Sequence, residues 1–206
     1  MNRRFFLGLG ALYFLFNVSP AFAVTTTGDS APTALVETLH KALLSAMKSA
    51  ATTSVRQRFN TLAPVVSESF HAGLMVQVAS GSYWRKASPA QRTSLTNAFA
   101  SLSTATYAAQ FDGYSGQSFK TLAQKPGPQN TILVETEIVD PGGRNVTLTY
   151  VTRKIKQRWQ IVDVLLDTGI SELARKRSEY RQVLKSDGVE GLVAMLKHKT
   201  GALLAN

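Results

Sequence analysis

The spacing of apolar residues changes once along this chain, and the change fixes the class of fold it can adopt. From Leu95 through Ala98, Phe99, Leu102 and Ala105 to Ala109 they recur every three or four positions, so a helix there carries one apolar stripe. Ser88 suits the N-cap of that helix, Pro89 its first turn, and Gln91 the position from which an amide reaches back to the cap. Upstream, Pro32 opens a helix with Leu35, Val36, Leu39, Leu43 and Met47 on one face. A second helical stretch runs from about Val55 to Phe70, where Pro64 is expected to kink or divide it. Leu74, Met75 and Val78 extend an apolar face up to Gly81.

From Phe119 onward the spacing becomes strand-like. Thr131 to Val139 is rich in β-branched residues, Asp140-Pro141-Gly142-Gly143 is a turn, and Val146, Leu148, Tyr150 and Thr152 alternate on the return. These segments predict an antiparallel hairpin. A second turn around Lys154-Ile155-Lys156-Gln157 leads into Trp159–Leu166, which past Gln160 is apolar at odd and even positions except Asp163, as expected of a strand covered on both faces. Ser171 then caps a helix, Asp187-Gly188 interrupts it, and Leu192, Val193 and Leu196 face inward from a last helix. The expected fold is α+β: a curved antiparallel sheet of about four strands packed with helices around a cavity, with a helical lobe. The helical part covers about 31–114, the sheet about 117–167 and the C-terminal helices about 171–200. With 206 residues, 44% of them apolar, the chain suits one such domain over 24–206.

The first 23 residues read as an export signal. Asn2-Arg3-Arg4 precedes an apolar run from Phe5 to Phe16, too short to span a bilayer, and Ala21-Phe22-Ala23 offers the small residues read by a signal peptidase. Arg3-Arg4-Phe5-Phe6-Leu7 also fits the core of a twin-arginine signal, so the Tat and Sec routes both stay open. Cleavage after Ala23 removes two basic and no acidic residues, leaving 21 basic against 13 acidic and a net charge of +8. In an exported protein that excess points to anionic lipid headgroups or acidic protein surfaces and not to nucleic acid. The sequence has no cysteine, so disulfides and thiolate chemistry are excluded.

Catalytic signatures are thin. His40, His71 and His198 lack metal-ligand spacing, no Gly-x-Ser-x-Gly elbow occurs, and no Gly-rich phosphate loop is present. Neither a metal nor a cofactor is expected. Asp163 is the exception, because a carboxylate within an apolar strand is costly unless it is paired or hydrogen-bonded. It reads either as a bond fixing the sheet to a helix or as the base of a pocket enzyme acting on a small hydrophobic substrate. The aromatic residues Trp84, Phe99, Phe111, Tyr150 and Trp159, interleaved with Leu74, Val78, Leu102, Val164 and Ile170, supply more apolar surface than polar anchoring, a balance that suits acyl chains. With Phe70 and without Trp159 they form the candidate lipid-binding set. Arg85, Lys86 and Arg92, near the start of the long helix, are candidates for headgroup contact or docking.

The order Phe70, Tyr83-Trp84-Arg85, Ser88-Pro89-Ala90-Gln91-Arg92, Phe99, Tyr107, Tyr114, Tyr150, Asp163-Val164, Gly169-Ile170-Ser171, Tyr180, Leu184, Gly188, Leu192, Leu196 resembles the MlaC family, the toluene-tolerance auxiliary proteins, over nearly the whole mature chain. Its members carry phospholipids across the periplasm, and one branch, HpnM, is associated with hopanoids. Gly81-Ser82 stands where many relatives read Leu-Gly. The resemblance implies a non-enzymatic periplasmic carrier of phospholipid or hopanoid. Its partners would be a transporter-associated lipid-binding complex of the inner membrane and a lipoprotein complex of the outer membrane. Two acyl chains of roughly 30 methylenes would gain ~20 kcal/mol on burial before entropic and desolvation costs, so release is expected only onto a docked partner.

Overall fold

A computed structural model describes residues 31–167 and 169–205. The expected export signal and the leader at 24–30 lie outside the described residues. Five helices come first: α1 (Ala31–Ser49), α2 (Val55–Ser69), α3 (Ala72–Ser80), α4 (Ser82–Lys86) and α5 (Pro89–Gln110). A sheet follows, made of β1 (Ser118–Gly127), β2 (Thr131–Val139), β3 (Val146–Ile155), β4 (Arg158–Leu166) and the short β5 (Ile170–Ser171). Helices α6 (Glu172–Ser186) and α7 (Gly188–Leu204) close the chain. The strands pair antiparallel in chain order, so the sheet is a meander of four long strands with a two-residue fifth at one side. This bears out the expected α+β class and adds one strand to the expected count.

Local chemistry sets the helix boundaries. Ser88 accepts from the Gln91 backbone while the Gln91 side chain accepts from Ser88, a reciprocal cap that fixes the start of α5. The same box formed by Ser54 and Gln57 starts α2. Pro64 does not divide α2, which runs unbroken from Val55 to Ser69. Arg58, buried in α2, donates from Nε to the Ala108 carbonyl at 2.9 Å and so ties α2 to α5.

Gly81 joins α3 to α4 at φ 59°, ψ −125°, backbone that an L side chain rarely adopts. A Cβ there would meet only the Arg177 side chain, at an ordinary 3.5 Å, so the obstacle is the backbone and not crowding. Gly81→Ala is expected to lower stability by about 1–3 kcal/mol in a denaturant melt, with the helix content of the folded protein unchanged.

Two bulges shape the sheet. One passes over Leu122 in β1, the other over Val162 in β4. The second explains the unbroken apolar run of β4: because Val162 is the extra residue, Ile161 and Val164 are both buried although three positions apart. Val134, Tyr150 and Val164 lie opposite one another across β2, β3 and β4, and Thr136, Leu148 and Leu166 form the next row. The turn between β3 and β4 holds Lys156 and Gln157 at φ 46° and 67°, without a glycine. β1 has a sheet neighbour on one side only and carries Lys120, Lys125 and Pro126. The core is continuous from helices to sheet, drawing on Leu39 and Leu43 of α1, Leu62 of α2, Leu95 and Phe99 of α5, Tyr150 and Ile161 of the sheet, and Leu192 and Leu196 of α7.

Candidate functional site

Between the inner rows of the sheet and the helices lies a cavity of about 510 Å³. The sheet contributes Ile138, Val146, Leu148, Tyr150, Val164 and Leu166. Opposite them stand Phe70, Met75, Phe99, Tyr107 and Phe111. Ring centroids run Phe70 to Tyr107 at 5.8 Å, Tyr107 to Phe111 at 6.1 Å and Phe111 to Phe119 at 6.2 Å, so one wall is a chain of aromatic faces. The charged lining comes from α6 alone: Glu172, Arg175 and Lys176. Such a space offers methylenes favourable burial and polar groups one place to sit.

The candidate residues fall into distinct places. Phe70, Phe99, Phe111, Tyr150 and Val164 all line this cavity. Leu102 is packed in the core of α5. The cavity does not include Val78, which is 44% exposed on α3, or Ile170, 59% exposed in the two-residue strand at the sheet margin. Val78 follows Met75 by three residues, but Met75, Val76 and Ala79 occupy the buried stripe and leave it outside.

Leu74, Trp84 and Arg92 belong to a second, more open depression of about 640 Å³, shared with Gln77, Thr93, Asn97, Arg153 and Lys154. Although broader, it has too many polar side chains and too little enclosure to shelter an acyl chain. Arg92 is engaged there: Nε donates to the Trp84 carbonyl at 3.0 Å, Nη2 to the Arg85 carbonyl at 3.1 Å, and the guanidinium lies 5.6 Å from the Trp84 ring centroid. It fastens α4 to α5. Arg85 and Lys86 are exposed on α4.

Asp163 serves the fold. Its Oδ1 accepts from the backbone of Val164 at 2.8 Å and of Leu173 at 3.2 Å, and its Oδ2 accepts from the Ser171 hydroxyl. Ser171 in turn accepts from the Ala174 backbone and caps α6. Both carboxylate oxygens thus join β4 to the start of α6, and Asp163 is not among the cavity residues. That environment favours the fixing bond over a base poised against a substrate.

The three histidines occupy separate places. His71 caps α3 by accepting from the Leu74 backbone at 2.9 Å, and His198 is exposed on α7. His40 is buried behind the cavity wall, its ring stacked on Phe119 at 4.3 Å and its Nε2 hydrogen-bonded to the Tyr150 hydroxyl at 3.1 Å. Burial holds its pKa down at about 4. Burial likewise pushes the Tyr107 and Tyr150 hydroxyls up, so both stay protonated.

Residue-by-residue reading of the sequence misses Met75, Tyr107 and the α6 charges. Tyr107 follows Phe99 and Ser103 at helical spacing, a sequence signal that would have placed it on the cavity side. The charges of α6 carry no such signal, because the buried stripe of that helix, Leu173, Tyr180 and Leu184, faces other elements.

A family model described as MlaC protein matches residues 37–198 of the chain. Among solved structures, a protein from Ralstonia solanacearum, described as a phospholipid-binding protein in complex with a phospholipid, superimposes with a TM-score of 0.71 at 21% identity. The match covers 82% of this chain and 97% of that one. At that identity the likeness is one of fold.

Proposed function

Since the chain belongs to the MlaC protein family, we propose that it is a lipid carrier that holds acyl chains in the cavity between sheet and helices and shuttles lipid between membranes. The observation that carries this reading is the cavity wall: aliphatic side chains from three strands face a row of aromatic rings, with charge confined to α6. The Ralstonia protein, which shares the fold, is described in complex with a phospholipid, and this supports phospholipid as the cargo class. The exported, cleaved form would work in the periplasm, collecting from one membrane complex and delivering to another. A binding protein fits the site better than an enzyme, because the carboxylate suited to act as a base is consumed in holding α6.

Native mass spectrometry with lipid extraction, on protein purified from its own host, tests the reading directly. One lipid per chain is expected. An empty protein that takes up no lipid from vesicles would overturn it.

Exposed Arg85 and Lys86 are suited to steering the protein onto acidic partners or anionic membrane. Arg85→Glu/Lys86→Glu should slow lipid transfer to acceptor vesicles severalfold at low salt, with bound lipid unchanged. Physiological salt should narrow the gap between variant and wild type, because screening removes what the substitution has already removed. Equal salt dependence in the two proteins would rule out steering by these residues.

A further inference from the structure

Among the described residues no carboxylate touches Lys176, although Glu172 and Glu179 on the same helix act on its charge from a distance. Glu172 is taken by Arg175, which donates from Nε to Oε1 at 3.1 Å and from Nη2 to Oε2 at 2.8 Å. Glu179 is taken by Lys199. No ion pair within 4 Å is formed by Lys176 among the described residues; its ammonium instead stands 5.8 Å from the centroid of the Phe99 ring, itself part of the cavity wall. The charged lining of the cavity is therefore Arg175 and Lys176 against Glu172, one positive charge in excess.

A half-buried ammonium with no carboxylate in direct contact is poorly solvated, and its charge is weakly screened beside an apolar wall. An anion brought to it gains a charge-assisted contact and restores neutrality. An anion tethered to apolar chains gains the cavity as well. We propose that Lys176, framed by the Arg175–Glu172 pair, is the site for the anionic phosphate of a lipid headgroup, so that the cavity distinguishes phosphate-bearing amphiphiles from uncharged ones with the same chains. The proposal rests on the lipid-carrier reading and adds the cargo's charge class and the residue that reads it. On this assignment an uncharged polycyclic lipid is the poorer cargo.

The test compares wild type, Lys176→Met and Lys176→Arg. Methionine keeps most of the apolar stem over Phe99 and removes the charge; arginine keeps the charge. Uptake is measured from vesicles doped with phosphatidylglycerol or with diacylglycerol of the same chains. Wild type is expected to prefer phosphatidylglycerol, Lys176→Met to bind it about tenfold more weakly with diacylglycerol uptake unchanged, and Lys176→Arg to stay within a fewfold of wild type. Should Lys176→Met not fold, Lys176→Gln replaces it in the same comparison.

Equal uptake of both lipids by wild type and the neutral variant would overturn the headgroup site and leave the carrier reading standing. Uptake of neither lipid by wild type would overturn both. Inorganic phosphate alone is the probe for a free-anion site. Its binding to wild type but not to Lys176→Met, with lipid uptake unaltered, would overturn the assignment to a headgroup.

Discussion

Val164→Glu should empty the cavity. Val164 is 8% exposed, lies opposite Tyr150 on β3 and points into the apolar space that the proposed cargo fills. In the empty protein water enters and solvates the new carboxylate, so the folded state loses only about 1–3 kcal/mol. With chains in the cavity the same group is stripped of water and has no partner, and it must either remain charged at high cost or take up a proton. Lipid occupancy is therefore expected to fall by about tenfold or more while the thermal transition shifts by several degrees. Native mass spectrometry and a thermal melt on the same sample measure the two effects. Wild-type occupancy in the variant, or outright unfolding, would show that Val164 is closed core and not cavity wall.

The second large effect is a loss of stability in mild acid that originates at His40. In the folded protein burial holds its pKa near 4, against 6.5 for the free side chain. Between these values the unfolded chain binds a proton that the folded one refuses, so stability is fully present above about pH 6.5 and is lost as pH falls toward 4. The difference corresponds to about 3 kcal/mol. Tyr150 and Phe119 face the ring, and the Tyr150 hydroxyl remains protonated throughout this range. His40→Gln keeps a hydrogen-bonding group near Tyr150 and removes the titration. Its stability should fall less steeply from pH 7 to pH 4, whatever its value at neutrality. Parallel pH profiles for the two proteins, followed by denaturant melts, would exclude His40 as the source.

Much of the scaffold was legible because it is local. Ser88 and Gln91 announce the start of α5, Asp140-Pro141-Gly142-Gly143 the hairpin, and Ser171 the start of α6. The interleaved aromatic and aliphatic residues, with Phe70 added, put Phe70, Phe99, Phe111, Tyr150 and Val164 into one candidate set, and the structure gathers those five around one cavity. What stayed hidden depends on pairing and rotation. A bulge adds a residue on one strand without leaving a mark in the sequence, so β4 reads as covered on both faces until Val162 is seen as the extra residue. The rotation of α6 follows from the Asp163 bonds to Ser171 and Leu173, contacts across the β4–α6 junction that spacing along one helix cannot reveal. Arg92 looks like a headgroup ligand by its place near a helix start, but two backbone carbonyls claim it.

The free side of β1 has a bearing on crowded solution. Among the described residues β1, ten residues long, pairs with β2 on one side only, so alternate residues turn main-chain groups to the other side, and Leu122 in this strand is 54% exposed. The bulge at Leu122 breaks the flat register that a second copy needs, Pro126 withholds an amide, and exposed Lys120 adds a charge to the strand, while Lys125 is paired with Glu135 of β2. The strand is thereby guarded against sheet-to-sheet growth into fibres, a guard that does not depend on whether the cavity is full. Replacing Lys120 and Pro126 with threonine would leave each molecule folded and remove much of its resistance to aggregation at high concentration.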